Sequence, residues 1–409
     1  MAEKDKKPEI RFIGFTDAWE QRKYKELAET RRGLTYKPSD IVEDGVRVLR
    51  SSNINEDTYL EKDDDVFVNE SAVNIEYVDE GDILVTSANG SSRLVGKHAI
   101  VCKLDKKAVH GGFMLLAKTK NPYFLNASMS SSWYEKFISI FVSGGNGAIG
   151  NLNKSDLDEQ LVYVPKDGEQ TKIGTFFKNL DNLITLHQRK YDKLVIVKKS
   201  MLEKMFPKDG ANVPEIRFAG FTDAWEQKKV GDVLTEKQRP IKMEDDEEYQ
   251  LITVKRRNEG IVSRGYFKGK DILVKNYFEI RSGDYLISKR QVVHGANGIV
   301  PESLDKSIVS NEYLVSIGNK NITTEYWTLI SKLPNMYRKF FLSSYGVDIE
   351  KLVFDVEDWK KRTIILPSLP EQERITLFFQ RLDNLITLQQ LELEKLKNFK
   401  KSMLEKMFV

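Results

Sequence analysis

The segment Phe177-Lys178-Asn179-Leu180-Asp181-Asn182-Leu183-Ile184-Thr185-Leu186 decides the fold, because it returns almost unchanged as Phe379-Gln380-Arg381-Leu382-Asp383-Asn384-Leu385-Ile386-Thr387-Leu388. The two copies are 202 positions apart, and the match runs without a gap from 169–206 to 371–408. A second repeat matches 8–21 with 214–227. The chain is therefore an internal duplication, and the repeated parts lie at the ends of each half.

The repeated tails predict two long helices. Apolar residues recur at alternating steps of four and three, which is the spacing of a coiled-coil seam. The pattern meets Lys198 and Lys400 and then resumes with Met205 and Met407. Roughly 36 residues at about 1.5 Å each give a helix of about 55 Å. The seam residues are Ile173, Phe177, Leu180, Ile184 and Leu194 in the first copy, and Ile375, Phe379, Leu382, Ile386, Leu393 and Leu396 in the second.

Two helices with matching apolar stripes in one chain are expected to pack on each other as an antiparallel pair. Residues 207–213, which begin with Pro207, end the first helix and link it to the second half. Phe206 leads within a few residues into Pro214, so the duplication predicts that Phe408 ends close to Pro8. The alternative is that the stripes pair separate copies of the chain.

The regions between the repeats predict mixed α/β structure. Short β-branched runs occur at 99–101, 249–254 and 271–274, and helices are expected near 132–138 and 324–330. The expected fold class is α+β: two mixed α/β domains separated by a pair of long antiparallel coiled-coil helices, with an internal pseudo-twofold repeat. The predicted domains are 1–165, a first recognition domain; 166–213, a helix and linker; 214–367, a second recognition domain; and 368–409, a C-terminal helix.

Composition excludes several classes of protein. The chain has 409 residues, a net charge of only +3 and a single cysteine. No apolar run approaches the ~18 residues of a membrane span, and a cytoplasmic location is expected, with no role at a membrane. Cys102 follows a β-branched run, so it is expected to fill the core rather than to react.

No catalytic site is evident. The segment 90–98 resembles a phosphate-binding loop, but it has one residue too many between its glycines, and His98 stands where Ser or Thr would bind magnesium. Asn121-Pro122-Tyr123-Phe124 is interpreted as the start of a helix. The four histidines have no metal-ligand spacing, and the acidic clusters 61–65 and 244–248 are interpreted as solvated loops. No catalytic residue, metal or cofactor is predicted.

Basic and amide-rich loops recur in both halves, and this recurrence favours DNA binding over an ordinary solvated surface. Arg reads guanine and Asn reads adenine through paired hydrogen bonds, while Lys, Ser and backbone amides hold phosphates. The candidates in the first half are Arg31, Arg32, Arg47, Arg50, Ser51, Asn53, Asn89, Arg93, Lys97 and Asn146. Those in the second half are Lys237, Arg239, Lys255, Arg256, Arg257, Lys289, Arg290, His294 and Asn297.

With these residues in view, the whole chain resembles the specificity (S) subunit of type I restriction-modification enzymes. Each long helix is preceded by a Pro-x-x-x-Glu-Gln stretch, 165–170 in the first half and 367–372 in the second, and then carries Leu-Asp-Asn-Leu-Ile. The first stretch has Gly168 where the second has Pro370, and both are helix-start residues. Arg50-Ser51-Ser52-Asn53-Ile54 and the Gly-Asp-Ile-Leu segment at 81–84 also resemble parts of the family's recognition domains.

The resemblance implies a non-catalytic subunit that directs a bacterial defence complex to its target in double-stranded DNA. Each region between the repeats, called a variable region below, would read one half of a split, asymmetric target. Two methylation subunits that bind S-adenosylmethionine and two ATP-dependent restriction subunits would dock on this framework. The alternatives are a coiled-coil scaffold that binds only proteins and, with less support, a stand-alone DNA enzyme.

Overall fold

The computed structural model describes residues 7–142, 150–208, 210–273 and 276–409. The chain divides into two compact units. One comprises the chain up to Lys190 together with Gln389–Val409, and the other comprises Tyr191–Leu388. Each unit therefore combines one variable region with parts of both repeated tails. The α+β fold class predicted from the sequence is confirmed.

The first half contains fourteen strands and four helices among its described residues. The strands are β1 Glu20–Lys23, β2 Ala28–Arg32, β3 Ile41–Val42, β4 Val46–Leu49, β5 Ile54–Asn55, β6 Thr58–Tyr59, β7 Val66–Val68, β8 Ile83–Thr86, β9 Ala88–Asn89, β10 His98–Ile100, β11 Ala108–His110, β12 Met114–Thr119, β13 Gly150–Asn151 and β14 Leu161–Val164. The helices are α1 Pro122–Met129, α2 Ser132–Phe141, α3 Lys154–Glu159 and α4 Asp167–Lys204.

The second half, described apart from 209 and 274–275, repeats this plan with different lengths. Its strands are β15 Glu226–Lys229, β16 Leu234–Glu236, β17 Glu248–Val254, β18 Ile261–Lys268, β19 Tyr277–Glu279, β20 Tyr285–Ser288, β21 Asn297–Ile299, β22 Ile308–Ser310, β23 Tyr313–Gly318, β24 Ser344–Tyr345, β25 Val353–Phe354 and β26 Thr363–Leu366. Its helices are α5 Val230–Val233, α6 Thr324–Ile330, α7 Pro334–Leu342, α8 Val356–Lys361 and α9 Leu369–Met407.

The two units share a sheet plan although their interior sequences differ. The sheet β10-β8-β12-β2 in the first unit corresponds to β21-β20-β23-β16 in the second. A two-stranded ribbon also keeps its register, because Glu20 pairs with Val164 in β1·β14 and Glu226 pairs with Leu366 in β15·β26. The variable regions have therefore diverged in sequence on a common framework.

The repeated ends build the same hydrophobic joint in each unit. In the first unit the Phe408 ring lies 6.0 Å from Trp19, 5.8 Å from Phe124 and 5.9 Å from Phe177, measured between ring centroids. All four rings are buried, so the joint removes a large apolar area from water. It joins the variable region to the beginning of α4 and to the end of the chain.

The second unit has the equivalent joint around Phe206. Its ring lies 6.1 Å from Trp225, 6.4 Å from Tyr326 and 6.0 Å from Phe379. Phe177 in the first joint corresponds to Phe379 in the second, and Phe408 corresponds to Phe206. The repeated ends of each half thus supply the residues of the joint, which is the physical reason why their sequence repeats.

A buried ion pair accompanies each joint. The Arg11 guanidinium donates to both carboxylate oxygens of Glu169, at 2.9 and 2.7 Å, and Arg217 does the same to Glu371, at 2.8 and 2.7 Å. Both glutamates are almost completely buried at the beginning of a long helix. The hydrogen bond to Glu169 raises the pKa of Arg11 above its ordinary value, so the charge is kept.

The long helices pack antiparallel within each unit. In the first unit Phe177 meets Phe408 and His187 Nδ1 lies 3.2 Å from Gln389 Oε1. In the second unit Phe206 meets Phe379, and Lys198 Nζ lies 2.5 Å from Asp383 Oδ1. Lys400 likewise pairs with Asp181 at 2.8 Å. The two lysines that interrupt the apolar stripe are therefore satisfied across the helix pair, and the predicted pairing within one chain is confirmed.

The predicted seam residues differ in burial. Ile173, Phe177, Leu180, Ile375, Phe379, Leu382 and Leu393 are buried, whereas Ile184, Leu194, Ile386 and Leu396 are half-buried. The most buried residues lie where a globular region covers the helix.

The prediction for the chain ends is confirmed within the first unit. The backbone N–H of Ile10 donates to the carbonyl of Lys406 (2.9 Å), and Lys406 also pairs with Glu9 at 2.7 Å. The equivalent bond in the second unit runs from Ile216 N–H to the Lys204 carbonyl (3.0 Å).

Local predictions had mixed outcomes. The strand at 249–254 and the helices near 132–138 and 324–330 are confirmed. The strand predicted at 271–274 is not found at 271–273, so this prediction is wrong there. A 3₁₀ turn ends at Asp271, and of these three residues only Ile272 is buried. Position 274 lies outside the described residues. Cys102 is exposed, which corrects the expectation of a core residue, since β10 ends at Ile100 and Val101 is the last buried residue of that run.

Candidate nucleic-acid interface

Three predicted DNA-contacting residues of the first unit converge on one surface pocket. Arg50, Ser51 and Asn89 line a cavity of about 750 Å³. Asn89 Nδ2 donates to Ser51 Oγ (3.0 Å), and Asn89 Oδ1 accepts from the Ser91 N–H (2.9 Å). These bonds fix the amide and leave one N–H and one lone pair of it for a ligand, which is the pair of groups that adenine requires.

Phe113 lies at the same pocket and was not predicted from the sequence. Its carbonyl accepts hydrogen bonds from the N–H groups of Ser87 (2.9 Å) and Ala88 (3.1 Å), so the loop that carries it is held firmly. The ring is nevertheless 71% exposed. An aromatic ring presented to solvent beside an arginine and an amide is suited to contact with a base. The sequence signal was the Gly111-Gly112 pair before it, which lets two chain segments approach closely.

Arg31 and Arg32 end strand β2 near this pocket. Arg31 is half-buried and pairs with Glu76, whereas Arg32 is exposed. His110 lies beneath them, and its Nε2 donates to the Arg31 carbonyl (3.2 Å). Burial lowers the pKa of His110 to about 4, so the ring is neutral near neutral pH. Arg32 is therefore the more accessible of the two arginines.

Arg93 and Lys97 lie elsewhere, in the turn that resembles a phosphate-binding loop. They line a cleft of about 720 Å³ together with Lys397 and Lys401 of α9. Arg93 belongs to a 3₁₀ turn, Ser92–Leu94, as the interpretation of this segment as a turn predicted. The cleft lies between the variable region and the helix pair of the first unit, and is distinct from the pocket at Arg50.

Two candidates of the first half are structural residues. Arg47 is 5% exposed, and its Nη1 and Nη2 lie 2.9 Å from Asp65 and 2.8 Å from Asp105. Asn53 is fully buried and donates to the Asp65 carboxylate (2.8 Å). Neither side chain reaches a ligand in this conformation, which corrects their assignment to the DNA surface. Asp65 is equally buried, so the cluster 61–65 is not entirely a solvated loop. Asn146 lies outside the described residues.

The second unit presents a different group of side chains. The loop 255–258 turns through two residues with positive φ, Arg257 (59°) and Asn258 (56°). The Arg257 N–H donates to the His294 carbonyl (2.7 Å), which joins this loop to the next candidate loop. Arg256 Nη2 lies 2.8 Å from Glu350, and His294 Nε2 lies 3.5 Å from the same carboxylate. Lys255, Arg256 and Arg257 are exposed.

The other candidates of the second half differ in accessibility. Arg290 pairs with Glu312 (2.9 Å) and is exposed, while Lys289 donates to the Asn311 carbonyl (2.7 Å). Lys237 is half-buried in the loop after β16. Lys289 and Arg290 directly follow β20, whereas Lys237 follows β16.

Asn297 is corrected to a structural residue, whereas Arg239 makes structural contacts but is only half-buried. Arg239 makes two hydrogen bonds with the buried Asp284 carboxylate, at 2.7 and 3.0 Å, and thereby orients the repeated Gly-Asp segment. Asn297 is buried, and its Oδ1 accepts from the Tyr285 hydroxyl (2.8 Å). A nearby hairpin of the second unit carries the exposed apolar residues Tyr345 and Val347, which were also not predicted.

Among the residues with described positions, no group of three or more His, Cys, Asp or Glu side chains is placed to hold a metal ion. Within the same residues, no helix combines the length and the apolar character that crossing a bilayer requires.

Comparison with known proteins identifies the class. The family model for the type I restriction modification DNA specificity domain matches the chain twice, at residues 16–195 and 222–398. The chain therefore belongs to the type I restriction-modification specificity family.

Individual relatives agree with this assignment. A protein of Methanocaldococcus jannaschii designated the type I restriction enzyme MjaX specificity subunit is 25% identical over 98% of this chain and 94% of its own length. The type I restriction enzyme EcoKI specificity subunit of Escherichia coli K12 is 30% identical over 36% of this chain and 32% of its own. The crystal structure of the S subunit from M. genitalium shares the fold, with a TM-score of 0.55, 13% identity, and coverage of 98% of this chain and 99% of that one.

Proposed function

We propose that this chain is the DNA-recognition subunit of a type I restriction-modification complex and that its two units read the two halves of an asymmetric split target. One observation carries the proposal. The units share the same joints and sheet plan but present different accessible side chains, with Arg50, Asn89 and Phe113 on one and Arg256 and His294 on the other. A common framework with two different surfaces is what a reader of two unlike sequences requires.

The chemistry of these side chains fits base readout supported by phosphate contacts. Arginine pairs with guanine and asparagine with adenine in the major groove, whereas lysines and backbone amides hold phosphates without sequence choice. Arg50 and Asn89 are assigned to bases in the first half-site, and Arg256 to a base in the second. Arg32, Lys255 and Arg290 are assigned to phosphates. We assign the recognition domains to 1–165 and 214–367 and the helical segments to 166–213 and 368–409.

Partner subunits are assigned to the long helices. Leu183 and Leu186 of α4 are exposed in the first unit, and their equivalents Leu385 and Leu388 of α9 are exposed in the second. Apolar residues repeated on a helix surface mark protein contacts. Two methylation subunits that bind S-adenosylmethionine dock there, and two ATP-dependent restriction subunits join through them. Catalysis belongs to those partners, and the complex acts on DNA in the cytoplasm.

Methylation mapping tests this function. The chain is expressed with its methylation subunits, and modified bases are mapped across a genome with and without it. A single split motif with unlike halves, present only with the chain, is expected. A coiled-coil scaffold would leave the methylation pattern unchanged, and the assembled complex would then show no steep salt dependence of duplex binding.

A further inference from the structure

A three-residue ionic cluster crosses between the variable region and the helix pair in the first unit. Lys400 of α9 lies 2.8 Å from Asp181 of α4 and 3.1 Å from Asp57. Asp57 belongs to the turn between β5 and β6, so it comes from the variable region. We refer to Asp57, Asp181 and Lys400 as the ionic clasp.

Only Lys400 of the clasp is largely buried: the side chains of Asp57 and Asp181 are 52% and 41% exposed, and burial raises the pKa of Asp181 in spite of the nearby Lys400. The Lys400 side chain is only 13% exposed. Burial acts to lower the pKa of Lys400, but Asp181 and Asp57 outweigh it, and the pKa lies above its ordinary value. Burial likewise acts to raise the pKa of Asp57, yet the charge of Lys400, with smaller contributions from His98 and Lys97, leaves that pKa lowered. The charged forms of both groups are thus favoured where they meet.

The turn that carries Asp57 is rigid at its base. Tyr59 is buried in a cluster with Leu49 and Leu84, and its hydroxyl donates to Glu61 (3.1 Å). Glu56 adopts a positive φ of 53°, which places two adjacent carboxylates at the tip. Glu56 lies 3.6 Å from Lys397, one turn before Lys400 on α9. The tip therefore faces two successive turns of the helix.

The clasp spans a gap rather than a packed interface. The cleft of about 720 Å³ lies beside it, lined by Lys97 and Glu135 from the variable region and by Asp181 and Lys401 from the helices. The hydrophobic joint at Phe408 is eight residues further along the chain, directly after the end of α9, which corresponds to about 12 Å. The variable region is consequently attached at one apolar joint and restrained at a second point by charge.

The second unit lacks an equivalent restraint in its described part. Lys198, the equivalent of Lys400, pairs with Asp383 of α9, but the group that faces it from the variable region is Lys332. Burial first, and the charge of Lys198 second, lower the pKa of Lys332. A like charge replaces the carboxylate of Asp57, so the clasp belongs to the first unit alone.

We propose that the ionic clasp is a positioning device that fixes the angle of the first recognition domain on the helix pair and thereby restricts the spacer length accepted between the two half-sites. This inference rests on the proposed function. A spacer that is one base pair longer or shorter moves one half-site by about 3.4 Å along the DNA axis and also turns it about that axis. The first recognition domain would have to change its angle at the joint around Phe408 to follow this displacement. The clasp is not a base reader, since none of its three side chains lines the pocket at Arg50.

The test uses the chain assembled with its methylation subunits. The complex methylates a plasmid library in which the two half-sites are separated by the native spacer or by one base pair more or less. Lys400→Met and Asp57→Asn are each expected to raise methylation of targets with the wrong spacer about fivefold relative to the target with the native spacer. This factor corresponds to the loss of about 1 kcal/mol of interaction free energy within the ionic clasp. Lys400→Arg, which keeps the charge, is expected to retain discrimination.

Controls separate the clasp from other roles. Lys401→Met changes the exposed neighbour and should leave spacer choice unchanged. Base preference within each half-site should be the same in all variants, whereas a base-reading role would alter it. If Lys400→Met and Asp57→Asn methylate the native spacer with undiminished discrimination, the clasp proposal is overturned. If the unaltered chain directs methylation to no split target, the proposed function itself fails.

Discussion

At the scale of single residues, accessibility decides which polar side chains can contact DNA. Arg50 and Arg47 belong to one short segment, yet Arg47 is buried with Asp65 and Asp105 while Arg50 lines a pocket. In the second unit, Arg256 is exposed and its only described ion pair is with the exposed Glu350. A phosphate or a base edge can replace such a partner at little cost.

Arg256→Ala is expected to cost about 1–3 kcal/mol of binding free energy at particular base pairs of the second half-site, because one paired hydrogen bond to a base is lost. Duplex binding by the assembled complex, measured over a set of single-base variants, checks this. Arg22→Ala is the matched control, since Arg22 has the same exposure and an ion pair of the same 2.8 Å length. Uniform weakening across all sequences would instead make Arg256 a phosphate contact.

His110 predicts a pH dependence of stability in the first unit. Its pKa is about 4 in the folded state and 6.5 for the unfolded reference, because the buried ring is costly to charge. Unfolding takes up a proton between these values, so stability is lost as the pH falls from about 6.5 to about 4. The difference between these two pKa values corresponds to a loss of about 3 kcal/mol in the free energy of unfolding once the pH is below both of them.

His110→Gln, which cannot titrate, should reduce this loss, as urea unfolding followed at several pH values would show. His187→Gln is the control, because His187 lies on the helix pair with a partly exposed ring. An unchanged pH dependence in His110→Gln would contradict the assignment.

At the scale of elements, each long helix is joined to a variable region at its beginning. The glutamate at that point, Glu169 or Glu371, is buried and neutralised by an arginine from the repeated opening segment. Removal of one member of a buried ion pair leaves the other charge without a partner, which costs far more than the pair itself contributes.

Glu169→Ala is therefore expected to destabilise the first unit by about 3 kcal/mol, at the low end for buried pairs because Arg11 keeps some solvent contact. Thermal unfolding followed by circular dichroism measures the change. Asp17→Ala is the control, since Asp17 forms an exposed ion pair with Lys166 (2.7 Å) at the same helix start. Equal effects of the two substitutions would show that burial is not the cause.

At the scale of the whole molecule, the duplication repeats one contact between the opening segment of a half and the end of a long helix. The bond from Ile10 N–H to the Lys406 carbonyl in the first unit repeats the bond from Ile216 N–H to the Lys204 carbonyl in the second. In the second unit the two segments are connected by 207–213, whereas in the first unit they are held by contact alone.

A circular permutant follows from this equivalence. Joining position 408 to position 8 through a copy of 207–213, and opening the chain within the original 207–213, is expected to preserve folding and sequence-directed methylation. The reason is that both ends already lie at equivalent places. Circular dichroism and methylation mapping test it. Opening the chain within α4, between Asn182 and Leu183, should destroy the fold, and survival of that control would refute the argument.

The sequence by itself determined the duplicated framework. The 202-residue repeat and the four-three spacing identify the long helices, their seam and the closeness of the chain ends, because periodicity along a helix fixes which residues share a face. Trp19 and Trp225, and likewise Phe177 and Phe379, recur in the sequence, but only the structure shows that they meet in a joint.

Only the tertiary structure decided which loop residues face a ligand. Arg47 pairs with Asp65 and Asp105, which are 18 and 58 positions away in the chain, and Arg239 pairs with Asp284, 45 positions away. Phe113 has an apolar side chain, yet its ring is exposed, and the backbone of its loop is hydrogen-bonded to Ser87 and Ala88. Burial of a polar group depends on the partner that folding brings to it, and local composition does not record that partner.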